Sequence, residues 1–141
     1  MKTYNLTIDD VPSERVVKLQ PDRSLAQTIT GHGPGWVAVN GERIAHSVVV
    51  GSDGQRIAWP PTSFELLQPS HFEVLAGLDV EVVLFGSGSR IRFPAPGWVA
   101  PLMARRVGLE TMDTAAACRT YNILAQEGRK VAAALLLEPA A

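Results

Sequence analysis

Two short runs hold the residue types best suited to gripping a ligand. Gly86-Ser87-Gly88-Ser89-Arg90 follows the strand candidate Val80 to Phe85 and offers small residues, free amides, hydroxyls and a guanidinium; Asp113 and Thr114 follow Met112. An arginine holds a carboxylate or phosphate through two parallel hydrogen bonds, and the free N–H groups of a helix N-terminus attract negative or polar groups. Brought to one rim, Gly86, Ser87, Gly88, Ser89, Arg90, Asp113 and Thr114 would hold a small polar or anionic group, with Arg90 as its bidentate partner. Phosphate is the poorer fit, because the Asp113 carboxylate would repel it. The run GSGSRI also lacks the third glycine of a dinucleotide loop and the Gly-Lys-Ser/Thr ending of a nucleoside-triphosphate loop. A tight turn off a strand explains the same glycines by geometry alone.

Other reactive side chains do not assemble into a catalytic set. Cys118 is the one cysteine. At about 100° per residue it flanks the helical face made by Ala117, Tyr121, Leu124 and Ala125, which predicts a buried, inert thiol. Its place one turn from a helix start, beside Arg119, leaves a reactive thiolate as the alternative. His32, His46 and His71 are scattered and form no His-x-x-x-His pair, so a dedicated zinc site is not expected. No Gly-x-Ser-x-Gly elbow is present, and Asp9-Asp10 reads as a solvated turn. The reading is therefore no catalytic residues, no metal and no cofactor. Arg119, Asn122 and Arg129 form either a recognition face or a solvated, ion-paired surface. Ile123 points nearly opposite Tyr121 and calls for cover by another layer or by a partner.

The elements that must position these residues follow from pattern. Asp113 and Thr114 are both good N-caps, Ala115 to Glu127 lacks helix breakers, and Gly128 supplies the left-handed stop. Val131 to Leu137 is continuously apolar, which predicts a central strand covered on both faces. Upstream, Gly31 to Gly35 reads as a loop, and 36–59 as an antiparallel meander with Asn40-Gly41 as its hairpin turn and Arg43 to Val50 as one strand. Thr62 to Leu67 fits either a strand or a single turn. Ser70 with Glu73 reads as a capping box opening a short helix that Gly77 closes. Val80 to Phe85 is a strand, Ala95 to Arg106 a helix containing Pro101, and Leu109 to Met112 a strand. Nearer the N-terminus, 9–13 reads as a turn and 16–19 as a strand candidate. Strand, helix, strand, helix, strand in the second half is the form of parallel crossovers. The expectation is an α/β fold: a single three-layer domain, 1–141, with an antiparallel β element beside a mainly parallel central sheet and flanking helices.

Bulk composition supports one core. A domain near 141 residues buries roughly 70% of the surface its unfolded chain exposes. With 46% hydrophobic residues, disorder is not the default. Thirteen basic residues against 14 acidic ones, with no basic stripe carrying interleaved aromatics, argue against nucleic-acid binding. No apolar run reaches the ~20 residues of a membrane helix, and MKTYNLTIDD lacks the apolar core of a secretory signal, so a soluble, cytoplasmic chain is expected.

The run Gly108-Leu109-Glu110-Thr111-Met112-Asp113-Thr114, continued by Cys118-Arg119-Thr120-Tyr121-Asn122 and Glu127-Gly128-Arg129-Lys130-Val131, resembles a known pattern. It is similar to the small domain-of-unknown-function family that includes mitochondrial NADH dehydrogenase alpha-subcomplex assembly factor 3 and an adipogenesis-associated protein. Phe85-Gly86-Ser87-Gly88 looks like that family's Gly-Thr-Gly turn with Ser87 in place of threonine, and Trp36 to Trp59 like its Val-Asn-Gly hairpin and following strand. The resemblance covers 30–138. It implies a three-layer α/β domain, no established enzymatic activity, and a role in protein contacts such as assembly of respiratory complex I. The leading expectation is a binding module with a protein partner. The alternative is a small-molecule binder or enzyme at the two loops.

Overall fold

The computed structural model describes residues 26–139, so the turn at 9–13 and the strand at 16–19 lie outside the described residues. Strands β1 (Ile29–Gly33), β2 (Trp36–Val39) and β3 (Glu42–Ile44) form an antiparallel sheet. Its β2–β3 turn is the Asn40-Gly41 pair, at φ 50° and 84°, the left-handed geometry that matches strand twist. β4 (Val48–Gly51), β5 (Arg56–Ala58), β6 (Val82–Gly86), β7 (Gly108–Met112) and β8 (Val131–Leu135) make a five-stranded sheet ordered β5-β4-β8-β6-β7. β6 pairs parallel with both β7 and β8, and the β4–β5 hairpin extends the sheet antiparallel from β8. The α/β architecture is the one expected, with a mixed central sheet.

β8 is the centre of that sheet, and its residues alternate between two cores. Val131, Ala133, Leu135 and Leu137 face a cluster with Tyr121, Cys118, Val37 and Val39. Ala132, Ala134 and Leu136 face Trp59, Phe72, Phe85 and Leu102. One face thus receives helix α3 (Thr114–Gln126) and the three-stranded sheet; the other receives α1 (Pro69–Ala76) and α2 (Pro96–Ala104). The second core is largely aromatic, with Phe72 and Phe85 at 5.5 Å and Trp59 edge-on to both at 6.0 Å. Two buried serines finish β8: Val131 N–H donates to Ser52 Oγ at 3.0 Å and Leu137 N–H to Ser47 Oγ at 2.8 Å. Buried amides at a strand end need such partners.

Local departures from the sequence pattern have physical reasons. Gly31 to Gly33 is strand rather than loop, because the Trp36 indole lies across it and a Cβ on Gly33 would collide with the ring. The expected strand from Arg43 to Val50 is two strands in different sheets. Val48, Val49 and Val50 are buried on both faces and belong in the central sheet, while Arg43 stays outside over the Trp36 ring at 4.1 Å. Phe64–Leu66 is a single 3₁₀ turn. Helix α1 begins at Pro69 instead of after Ser70, since proline suits the first helical position; the reciprocal bond there is Gln68 N–H to His71 Nδ1, not a Ser70–Glu73 box. Helix α2 ends at Ala104, with Arg106 at φ 59° turning the chain.

Leu136 is fully buried in the aromatic core. Leu136→Ala should lower unfolding free energy by about 2–5 kcal/mol in urea titrations, and Leu136→Asp should abolish folding. A loss under about 1 kcal/mol for the alanine variant would contradict this burial.

Candidate functional site

The two loops singled out by sequence meet. Gly86 and Leu135 are paired residues at the parallel carboxyl ends of β6 and β8, and Asp113 caps α3 beside them through Ala116 N–H to Oδ1 at 2.8 Å. Contact is this close because Gly86 has no side chain: a Cβ there would lie 3.0 Å from Thr114 Cα and 3.2 Å from Ala117 Cβ. Thr114 ties three segments. Its N–H donates to Gly88 O at 2.9 Å, its Oγ1 accepts from Gly88 N–H at 2.9 Å, and the same hydroxyl donates to Leu136 O at 2.9 Å.

Ser87 is equally committed. It is fully buried; its N–H donates to Met112 O at 2.9 Å, its Oγ donates to Arg90 O at 2.8 Å, and that oxygen accepts from Arg92 N–H at 2.9 Å. The hydroxyls that sequence offered to a ligand therefore hold the loops together. Arg90 is exposed and does not line the pocket described below, which corrects its assignment as bidentate partner. The guanidinium at this junction is Arg92. It donates to Ser87 O and to Glu138 Oε1, both at 2.6 Å, and lies over the Phe64 ring at 4.8 Å. Glu138 Oε2 in turn accepts from Phe64 N–H at 3.0 Å. Gly88, at φ 104°, leaves room for that ion pair, since a Cβ would stand 2.5 Å from Arg92 Nη2.

A pocket of about 590 Å³ opens between these loops and the β1–β2 hairpin tip. Of the residues singled out by sequence, Gly88, Ser89, Asp113 and Thr114 line it, and Gly86, Ser87 and Arg90 do not. His32 to Gly35 and Leu136 to Pro139 complete it and escaped the sequence reading. The signal for Glu138 was present, as a lone carboxylate directly after the buried strand; the hairpin tip carried none, because sheet packing brings it there.

On α3, Asn122 is already used: its amide accepts from Ile29 N–H at 2.9 Å and donates to Ile29 O at 2.8 Å, binding β1 to the helix. Arg129 pairs with Glu81 at 3.0 Å. Arg119 is exposed, and Ile123 is 57% exposed, without cover from another layer. Cys118 is buried, and desolvation pushes its thiol up to about 12 against the opposing pull of Arg119; this is the setting of an inert thiol. Burial also pushes the Tyr121 phenol up to about 12, while its hydroxyl donates to Gln27 O at 2.9 Å. No group of residues suited to a metal occurs among the described residues.

This site sits in an α/β domain of a recognisable kind. A Bordetella parapertussis crystal structure matches it with TM-score 0.75 and 41% identity, over 80% of this chain and 97% of the other. A Bordetella pertussis solution structure described as an Mth938-like domain matches with TM-score 0.73 and 34% identity, over 88% and 93%. Residues 29–136 match the family described as protein of unknown function (DUF498/DUF598), and the chain belongs to that family. An uncharacterized Rhodobacter capsulatus protein is 36% identical across 86% of this chain and 94% of its own length. NADH dehydrogenase (ubiquinone) 1 alpha subcomplex assembly factor 3 of Bos taurus is 28% identical across 89% of this chain and 68% of its own. The resemblance read from the Met112-Asp113-Thr114 and Cys118-Arg119-Thr120-Tyr121-Asn122 runs is thus confirmed.

Thr114→Val removes both hydroxyl bonds at constant shape and should cost about 1–3 kcal/mol in denaturant titration; a change below about 0.5 kcal/mol would refute the stitching role. Alkaline pH supplies a second test. The thiol and phenol have ordinary values of 9.0 and 10.0 and folded values of about 12, so above pH 9 the unfolded chain binds fewer protons than the folded one. Stability is then fully present below pH 9 and lost as pH rises toward 12, by up to about 1.4 kcal/mol per unit for each group. Cys118→Ala should reduce that slope, and iodoacetamide should label Cys118 only after unfolding; equal slopes, or rapid native labelling, would contradict the burial.

Proposed function

We propose that this chain is a non-enzymatic protein-binding module that assists assembly of a membrane NADH dehydrogenase from its cytoplasmic side. The observation that carries the reading is the likeness to assembly factor 3 of cattle, 28% identical over 89% of this chain. At the site, Ser87, Thr114 and Arg92 spend their polar groups on neighbouring backbone and on Glu138.

The surface offers material for protein contact. Phe93 is 70% exposed, Leu66 56% and Ile91 50%. Arg92, between Ile91 and Phe93, reaches Glu65 at 4.0 Å and covers Phe64, so both apolar segments are fixed side by side. Exposed apolar residues held together in this way favour a partner. A second reading, a small-molecule site, has the pocket volume in its favour, although no lysine or arginine lines the pocket and Arg92 beside it pairs with Glu138.

Deleting the gene in the source organism should lower assembled membrane NADH dehydrogenase on native gels while its unassembled subunits accumulate, and the wild-type chain should restore the complex. Normal complex levels in the deletion strain would overturn the assembly role.

A further inference from the structure

Helix α2 breaks the rule that a surface helix turns apolar residues inward and polar ones outward. Its sequence PGWVAPLMA holds no charged or hydrogen-bonding side chain except the Trp98 indole. Trp98, Val99 and Leu102 pack on the aromatic core, yet the opposite side is no more polar. Pro96, Gly97, Ala100, Met103 and Ala104 are exposed and fall within an arc of ~120° at about 100° per residue. Met103 is 71% exposed, and so nearly is Phe93, just before the helix, at 70%.

The charge around this face is equally one-sided. Residues 82–109 hold four arginines and no Asp or Glu, in a chain with one net negative charge. Arg92 is paired with Glu138, while Arg90, Arg105 and Arg106 are exposed and form no ion pair among the described residues. The acids on adjoining elements are Glu65, at 4.0 Å from Arg92, Glu73 on α1 and Glu110 on β7.

An apolar face with cationic flanks fits an anionic surface that asks for few directed hydrogen bonds. A second copy fits poorly, because a two-fold contact sets a patch against itself and would gather the arginines of both chains. On this face a protein partner also fits less well. Protein interfaces carry about one hydrogen bond per 100–200 Å², and 93–104 offers a single side-chain donor, the Trp98 indole N–H. That N–H has no partner among the described residues, and a tryptophan with an apolar ring and a free N–H suits the level of lipid headgroups.

We propose that α2, with Ile91 and Phe93, docks this chain onto the surface of a bilayer containing anionic lipid. Ile91, Phe93 and Met103 enter the boundary between headgroups and acyl chains, and Arg90, Arg105 and Arg106 meet lipid phosphates. With nine residues the helix lies on the membrane and does not span it. The inference goes beyond the assembly reading and stands without it: it brings the chain to a membrane, whichever protein it meets there.

Flotation of the intact chain with vesicles tests it. Vesicles of equal parts phosphatidylcholine and phosphatidylglycerol should bind the chain at least about tenfold more tightly than phosphatidylcholine alone, and added salt should weaken that binding. Arg90→Gln should weaken it about fivefold, the effect of one surface charge. Phe93→Asp and Met103→Asp should each weaken it at least about tenfold with a dispersed amide NMR spectrum, because both side chains are exposed in the folded chain. Ile123→Asp, at the exposed Ile123 of α3 on the other side of the central sheet, should bind as wild type. No binding to the anionic vesicles, equal binding to both kinds, or an Ile123→Asp loss as large as that of Phe93→Asp would overturn the proposal. Absence of vesicle binding together with failure of Phe93→Asp to restore the complex in the deletion strain would overturn it too, and would assign the face to a protein.

Discussion

Every layer of this domain is fastened to the apolar segment Val131 to Leu137. This strand buries both faces completely, so α3 with the small sheet and α1 with α2 are held through the same backbone. Its middle, Ala132-Ala133-Ala134, carries little side chain. That lets Tyr121 approach from one side and the Trp59, Phe72 and Phe85 cluster from the other. Leu135 and Leu136 then contribute about 1.5–3 kcal/mol each by burial. The polar ends are satisfied by Ser47 and Ser52, placed at the two ends of β4.

The candidate site is a by-product of the same constraint. Where β8 leaves the sheet, Leu136 O receives the Thr114 hydroxyl and Glu138 receives Arg92, so the loops after β6 and β7 are locked to the end of the central strand. Preorganised walls of this kind lower the ordering cost of association. Beside them, exposed apolar residues such as Phe93 face outward.

Much of this was legible in sequence where one local rule dominates. The Asp113 cap, the apolar face of α3, the Asn40-Gly41 turn and the double burial of 131–137 each follow from spacing and residue type. The convergence of Gly86 to Ser89 with Asp113 and Thr114 followed from strand order, because both runs end parallel strands. What escaped depended on distant packing. Arg90 and Arg92 are indistinguishable by type, and only the position of Glu138 selects Arg92. Asn122 looked free on a helix face until β1 supplied both its partners. Gly31 and Gly33 looked like loop residues, although their missing side chains make room for Trp36.

Native-state hydrogen exchange across the chain tests the central role of the 131–136 backbone most directly. The account predicts that the amides of Val131 to Leu136 exchange only through global unfolding, with protection free energies equal to the whole domain's stability, while β5 and the β1–β2 hairpin open earlier. Exchange of those β8 amides by local opening, ahead of α3 or α1, would contradict it.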